Sequence, residues 1–185
     1  MIFTNAEGYP IEQGQRKRIK DKSAHLFTCI YKFYSPKTKL IYIINADYHE
    51  HDVFAIKFYT KQHKHSKNKF SIITNKGDVT NILISCSKVI PILLGGYPNA
   101  SFGFCASRTI DKLSKKIENF SVNQRFRIYR NFISALFGTK TFQHYEYTQI
   151  SSYLLINKGN ENVETAERNI VKMFSQTYVE LPDIE

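Results

Sequence analysis

The chain has 185 residues, 42% of them hydrophobic and 14% aromatic, enough apolar surface to offset the entropy of ordering one domain, which excludes global disorder. Twenty-six Lys and Arg against 16 Asp and Glu give a net charge of +10, so anionic partners such as nucleic acid or an acidic protein are favoured, although scattered lysines also serve as a plain solubilising surface. Cys29, Cys86 and Cys105 sit in apolar stretches without metal-ligand spacing, no run reaches the ~20 apolar residues of a spanning helix, and the first residues lack a secretory pattern; the expected setting is a reducing cytoplasm with no membrane contact.

Residues 1–23 mix Gly, Pro and Gln with the basic run Arg16–Lys22 and read as an extended, mobile arm; residues 24–185 read as a single domain. From His25 the texture turns to β-branched and aromatic residues. His25–Tyr34, Leu40–Asn45, Val53–Lys61 and Phe70–Asn75 each have strand length and are separated by turn chemistry, and such short connections predict an antiparallel meander. Alternation puts Phe27, Cys29, Tyr31 and Phe33 on the core face of the first strand, and Phe54, Ile56 and Phe58 on the apolar side of the third.

After Gly77-Asp78 the period changes. Val79, Ile82, Leu83, Val89, Ile90, Leu93 and Leu94 form a helical stripe with Asp78 as N-cap and Gly95-Gly96 as its stop, and Pro91 predicts a break near Val89–Ile90. Ser101–Ala106 reads as a short strand. Val122–Phe137 is the clearest helix, with Phe126, Tyr129, Ile133 and Leu136 at helical spacing beside Phe132. Phe142–Thr148 and Ile150–Asn157 read as strands, and Glu161–Tyr178 as a C-terminal amphipathic helix.

The fold expected from this order is α+β, an antiparallel meander of four or more strands with about three helices packed mainly on one face, since each helix has one apolar stripe to bury against the sheet.

Two His-x-His pairs stand out, His49-Glu50-His51 and His63-Lys64-His65. Residues two apart on a strand point the same way and could chelate a metal. Both pairs fall in connections between predicted strands, and lysines interleave the second, so surface hairpin tips without a metal or other cofactor are the favoured reading. Lys57, Lys61, Lys64, Lys67 and Lys69 with His63 and His65 form a basic cluster beside Tyr59, the combination that binds RNA or single-stranded DNA through phosphate contacts and base stacking. Lysines that protect a sheet edge from aggregation explain the same residues. Arg125, Arg127 and Arg130 flank the apolar stripe of the Val122 helix and suit phosphate or carboxylate, or else lay their stems on the core and pair with Asp111 or Glu118. Enzyme signatures are absent: there is no nucleophile elbow, phosphate loop, zinc-protease helix or Cys-x-x-Cys.

Ile41–Ile44, Gly77–Leu83, the Arg-x-Arg-x-x-Arg-x-Phe segment Arg125–Phe132 and the strand Ser151–Asn157 together resemble a group of small bacterial proteins of unknown function. The resemblance implies an origin in mobile or phage-defence regions and carries no catalytic residues over. The leading expectation is a non-enzymatic protein that engages nucleic acid or a nucleoprotein through the basic cluster and the arginine helix. An adaptor or antitoxin-like neutraliser of a neighbouring gene's product, and a metal-independent nuclease using His63, His65 and Arg127, are the alternatives. Neither the partner nor the oligomeric state is legible.

Overall fold

The computed structural model describes residues 6–72, 77–107 and 118–178. Seven strands form one sheet in the order β1-β2-β3-β4-β5-β7-β6: β1 is Glu12–Arg18, β2 His25–Ser35, β3 Leu40–His49, β4 Val53–Thr60, β5 Ser101–Cys105, β6 Phe142–Tyr147 and β7 Ser152–Asn157. Every neighbouring pair is antiparallel except β4 and β5. A parallel pair needs a crossover. Here it is the helix pair α1 (Val79–Ser87) and α2 (Val89–Gly96), which breaks at Lys88, three residues before Pro91. The other helices are α3 (Gln124–Leu136) and α4 (Val163–Thr177).

The expected α+β class holds, with more strands than the minimum and three of the four helices on one sheet face. On that face Phe27, Tyr31, Phe33, Tyr42, Ile44, Phe54, Ile56, Phe102, Tyr153 and Leu155 meet Ile82, Leu83, Val89, Ile90 and Leu93 of the first two helices and Phe126, Phe132 and Ile133 of α3. The Val79–Gly96 span has the length and apolarity of a membrane segment. Its stripe, however, is spent on this core. Helix α4 crosses the opposite face, where Ile170 and Met173 pack on Val53, Leu154 and Ile156. Gly103 permits that approach, because a Cβ there would stand 3.0 Å from Phe174 Cε2 and 3.2 Å from Leu154 Cδ2.

Two expectations are corrected. The stretch read as a mobile arm contains β1, which hydrogen-bonds along β2 and supplies the outermost strand of the meander. Of Phe70–Asn75, expected as the meander's fourth strand, the described residues 70–72 form no strand: Lys61–His63 is a 3-10 turn and turns continue to Ser71, while residues 73–75 lie outside the described residues. Lys, His, Ser and Asn dominate that segment, and their side chains satisfy its turns locally, as in Asn68 N to Ser66 Oγ at 3.2 Å.

Asp78 stands at the N-cap of α1 but does not cap it. Its carboxylate accepts from Tyr9 OH (2.8 Å), Ser35 Oγ (2.5 Å) and Asn81 Nδ2 (3.0 Å), tying the N-terminal segment and the β2–β3 turn to the crossover.

Candidate ligand cleft and its polar wall

Strands β4 and β5 stay in register for three pairs only, Val53 with Ser101, Phe54 with Phe102 and Ala55 with Gly103. Beyond them the strands part. The backbone edges of Ile56–Phe58 and of Phe104–Cys105 face each other without a ladder partner, over a cleft of about 500 Å³ that passes through the sheet. On the three-helix side its walls are Ile56, Phe58, Leu83, Phe132, Ile133 and Phe137; on the α4 side they are Ala55, Leu154, Val171 and Phe174, with Phe70 closing one end.

Few polar groups enter this apolar space. Cys105 is exposed, but its surface opens into the cleft, where burial pushes the thiol up against the smaller opposing effects of Ser152 and Lys57. Tyr129 is raised to about 12, first by burial. Lys57, Tyr178 and Arg125 stand in the wall as well, together with small hydroxyl residues such as Ser107, Ser152, Ser175 and Thr177.

Lys57 and Tyr178 belong to a connected network on the α4 side of the sheet. Side chains of β2, β3 and β4 project there because Thr28, Asp47 and Lys57 each lie on the face opposite Cys29, Ala46 and Ile56. Thr28 Oγ1 donates to Asp47 Oδ1 at 2.6 Å, Lys57 Nζ lies 3.0 Å from Asp47 Oδ2, and Lys57 Nζ donates to the Tyr178 hydroxyl at 3.1 Å. His49 Nδ1 donates to the backbone carbonyl of Asp47 at 2.8 Å, which leaves Nε2 to accept from Tyr178 OH at 2.9 Å. His25 stacks on His49 at 4.9 Å, and its Nε2 sits 3.0 Å from Thr28 Oγ1. The irregular register between His25 and Phe27 is what brings His25 onto this face.

The electrostatics follow from burial. His49 is fully buried, and desolvation, aided by His25, drops its pKa from 6.5 to about 4, so it is neutral at pH 7. Burial alone would raise Asp47, but Lys57 and the hydrogen bond from Thr28 outweigh it and hold the carboxyl below the ordinary range. Burial opposes the Lys57 charge, yet Asp47 and Tyr178 keep its pKa above the usual lysine value.

No family model, curated protein or solved structure matches the chain. Its site is therefore read from its own residues.

The basic residues anticipated from sequence are brought together only in part. Arg125 donates to the carbonyls of Phe70 and Ile72 (3.0 Å to the latter), pinning the 61–72 segment onto α3. Lys61, Lys64, His65 and Lys67 are exposed on that segment, while Lys69 lies over the Tyr59 ring at 4.6 Å. His63 Nδ1 is 2.5 Å from Thr60 Oγ1. Lys57 points into the Asp47 network instead of joining the exposed cluster. Arg127 is exposed and, two residues from Arg125, lies on nearly the opposite side of the helix. Arg130 pairs with Glu146 of β6 at 3.6 Å. Glu118 accepts from the Gln124 backbone N–H, and Asp111 lies outside the described residues.

The basic run of β1 is remote from that segment. Arg18 is level with Phe27, Tyr48 and Phe54, at the start of β4, whereas Lys61 follows its end, roughly 20 Å away along the strand by strand rise alone.

The expected hairpin-tip position holds for His51 but not for His49. His51 and Asp52 have positive φ (65° and 50°) in the β3–β4 turn, so His51 is exposed while His49 lies inside β3. Among the described residues no group of three His, Cys, Asp or Glu side chains could hold a metal ion.

Proposed function

We propose that the chain binds an extended, amide-bearing small molecule with an anionic end. Its body occupies the cleft where β4 and β5 part, and its anionic end meets Lys61, Lys64 and Lys67. The observation that carries this reading is the pair of unpaired strand edges facing one another across an apolar cavity. Backbone N–H and C=O groups without partners are costly when buried, and an extended chain with its own amides satisfies them as an added strand would. A cavity of several hundred cubic ångströms, mostly apolar with a few convergent polar groups, is the usual form of a small-molecule site.

Cys105 supplies the test in a Cys29→Ser background, since its thiol is exposed and lines the cleft, whereas Cys29 is only partly buried and Cys86 is buried. The S-methyl thioether of 4′-phosphopantetheine, an extended chain with two amides, a phosphate and no free thiol to consume the reagent, is expected to slow maleimide alkylation of Cys105, and Lys61→Glu/Lys64→Glu to weaken that protection. Alkylation at an unchanged rate with the saturating thioether, and with the apolar anion anilinonaphthalene sulfonate, would remove the cleft from consideration.

A second reading, engagement of RNA or single-stranded DNA, is favoured by one observation: Lys61, Lys64, His65 and Lys67 are solvent-exposed on one segment that Arg125 fixes in place. Titration with RNA and single-stranded DNA at two salt concentrations is expected to give affinity that falls steeply with salt and weakens in Lys64→Glu/Lys67→Glu. Absence of binding at low salt would end this reading and leave the cleft untouched.

A further inference from the structure

The Lys57 ammonium has three N–H donors in fixed tetrahedral array. One is directed to Asp47 Oδ2 at 3.0 Å and one to the Tyr178 hydroxyl at 3.1 Å. The third has no hydrogen-bond acceptor among the described residues, while the side chain keeps 28% of its exposure and lines the cleft. Its surroundings there are the rings of Phe70 and Tyr178, 5.9 and 4.4 Å from Nζ. The ammonium is not free to swing away to water, because its carboxylate partner is itself held by Thr28 at 2.6 Å and the phenol by His49 at 2.9 Å.

The charge of the network decides what the third donor can take. Asp47 and Lys57 cancel, and His49 is neutral because it is buried, with its Nδ1–H on a backbone carbonyl and its Nε2 accepting from Tyr178. A carboxylate or phosphate placed at Lys57 would meet an ammonium whose charge Asp47 already offsets, while the cleft's other cation, Arg125, is directed to the carbonyls of Phe70 and Ile72. A carbonyl oxygen brings no net charge, accepts the spare N–H, and gains a charge-assisted hydrogen bond.

We infer that Lys57 is the residue of the cleft that selects an uncharged carbonyl group, by donating its third ammonium N–H to the carbonyl oxygen of the bound molecule. The inference rests on the cleft being the binding site and adds the chemistry at Lys57: a ketone, amide or ester oxygen there, with any anionic group kept away from it. Lys57 thereby acts as a specificity determinant. Asp47, Thr28 and Tyr178 position it, and their distance from one another in sequence, 19 residues between Thr28 and Asp47 and 121 between Lys57 and Tyr178, makes this a product of the tertiary fold.

The test uses 2-nonanone labelled with carbon-13 at the carbonyl, with two independent readouts. Protection of Cys105 from maleimide reports occupancy of the cleft, and the infrared carbonyl stretch of the bound ketone reports its hydrogen bond. In the unmodified protein the ketone is expected to protect Cys105 and to show a stretch moved to lower frequency than in hexane. In Asp47→Asn/Lys57→Met, which removes both charges and so strands neither, the shift is expected to vanish and affinity to fall about tenfold or more, the scale of a hydrogen bond to a charged donor. Tyr178→Phe keeps Lys57 and is expected to keep the shift. Protection of Cys105 with an unshifted stretch in the unmodified protein overturns the role of Lys57 and spares the cleft. No protection by either the ketone or the phosphopantetheine thioether overturns both.

Discussion

Buried against the His25 ring and the edge of Phe174, His49 has no water to stabilise an imidazolium, and desolvation, reinforced by His25, lowers its pKa from 6.5 to about 4. The unfolded chain takes up this proton near pH 6.5, while the folded chain resists it until about pH 4. Stability from this residue is therefore complete above pH 6.5 and lost as pH falls towards 4, a change of roughly 3 kcal/mol for a fully buried group. Asp47 and Asp78, whose carboxyls are both held low, add further losses only below the ordinary aspartate range. Urea unfolding of the unmodified protein at pH 7.5, 6, 5 and 4.5 is expected to show the midpoint falling through this window. His49→Gln is expected to be less stable at pH 7.5 and nearly flat between pH 6.5 and 4.5; a midpoint falling as steeply in the variant would assign the acid sensitivity elsewhere. None of this was legible in the sequence. The polar run from Asp47 to Asp52 has the composition of a turn, and only the partners reveal that β3 continues to His49, because Tyr178 lies 129 positions away.

Among the elements, α3 and α4 were readable because each concentrates its apolar residues on one stripe, and in the structure each begins at an asparagine. The two caps are chemically alike and differently placed. Asn123 is buried: its side-chain oxygen accepts from Phe126 N at 2.8 Å, its amide donates to the Ala106 carbonyl at 2.6 Å, and its backbone N–H reaches Ser151 Oγ at 3.0 Å. Asn162 is exposed and makes the single capping bond to Thr165 N at 2.7 Å. Replacing a cap with alanine costs about 1 kcal/mol, and stranding a buried carbonyl adds about 1–3 kcal/mol. Asn123→Ala is thus expected to lower the melting temperature about twice as much as Asn162→Ala, measured side by side by calorimetry; equal losses would mean that the Ala106 carbonyl finds another donor. Strand β1 was hidden for the opposite reason. All seven of its residues are exposed, so no alternation marks it, and its place is set by backbone pairing with β2.

At the scale of the molecule, net charge overstated what the surface does. Lys57, Arg125 and Arg130 are spent on Asp47, on two backbone carbonyls and on Glu146, and the basic run of β1 lies at the other end of the sheet from Lys61–Lys67. Sequence supplied the identity of the exposed lysines but not their division into separate patches, which depends on strand register. The cleft was equally invisible, since Val53–Thr60 and Ser101–Cys105 each read as ordinary strands and only their pairing shows where they diverge.

That divergence gives the molecule a line of mechanical weakness. The meander β1–β4 and the trio β5, β7 and β6 are each laced along their lengths, while three residue pairs at one end of β4 join them. Beyond those pairs the two leaves of the sheet are joined by side chains of the shared core, Phe54 on Phe102 among them, and by the helices packed over it. Whatever fills the gap would stitch both leaves at once, stiffening the whole chain from a position that touches only its middle.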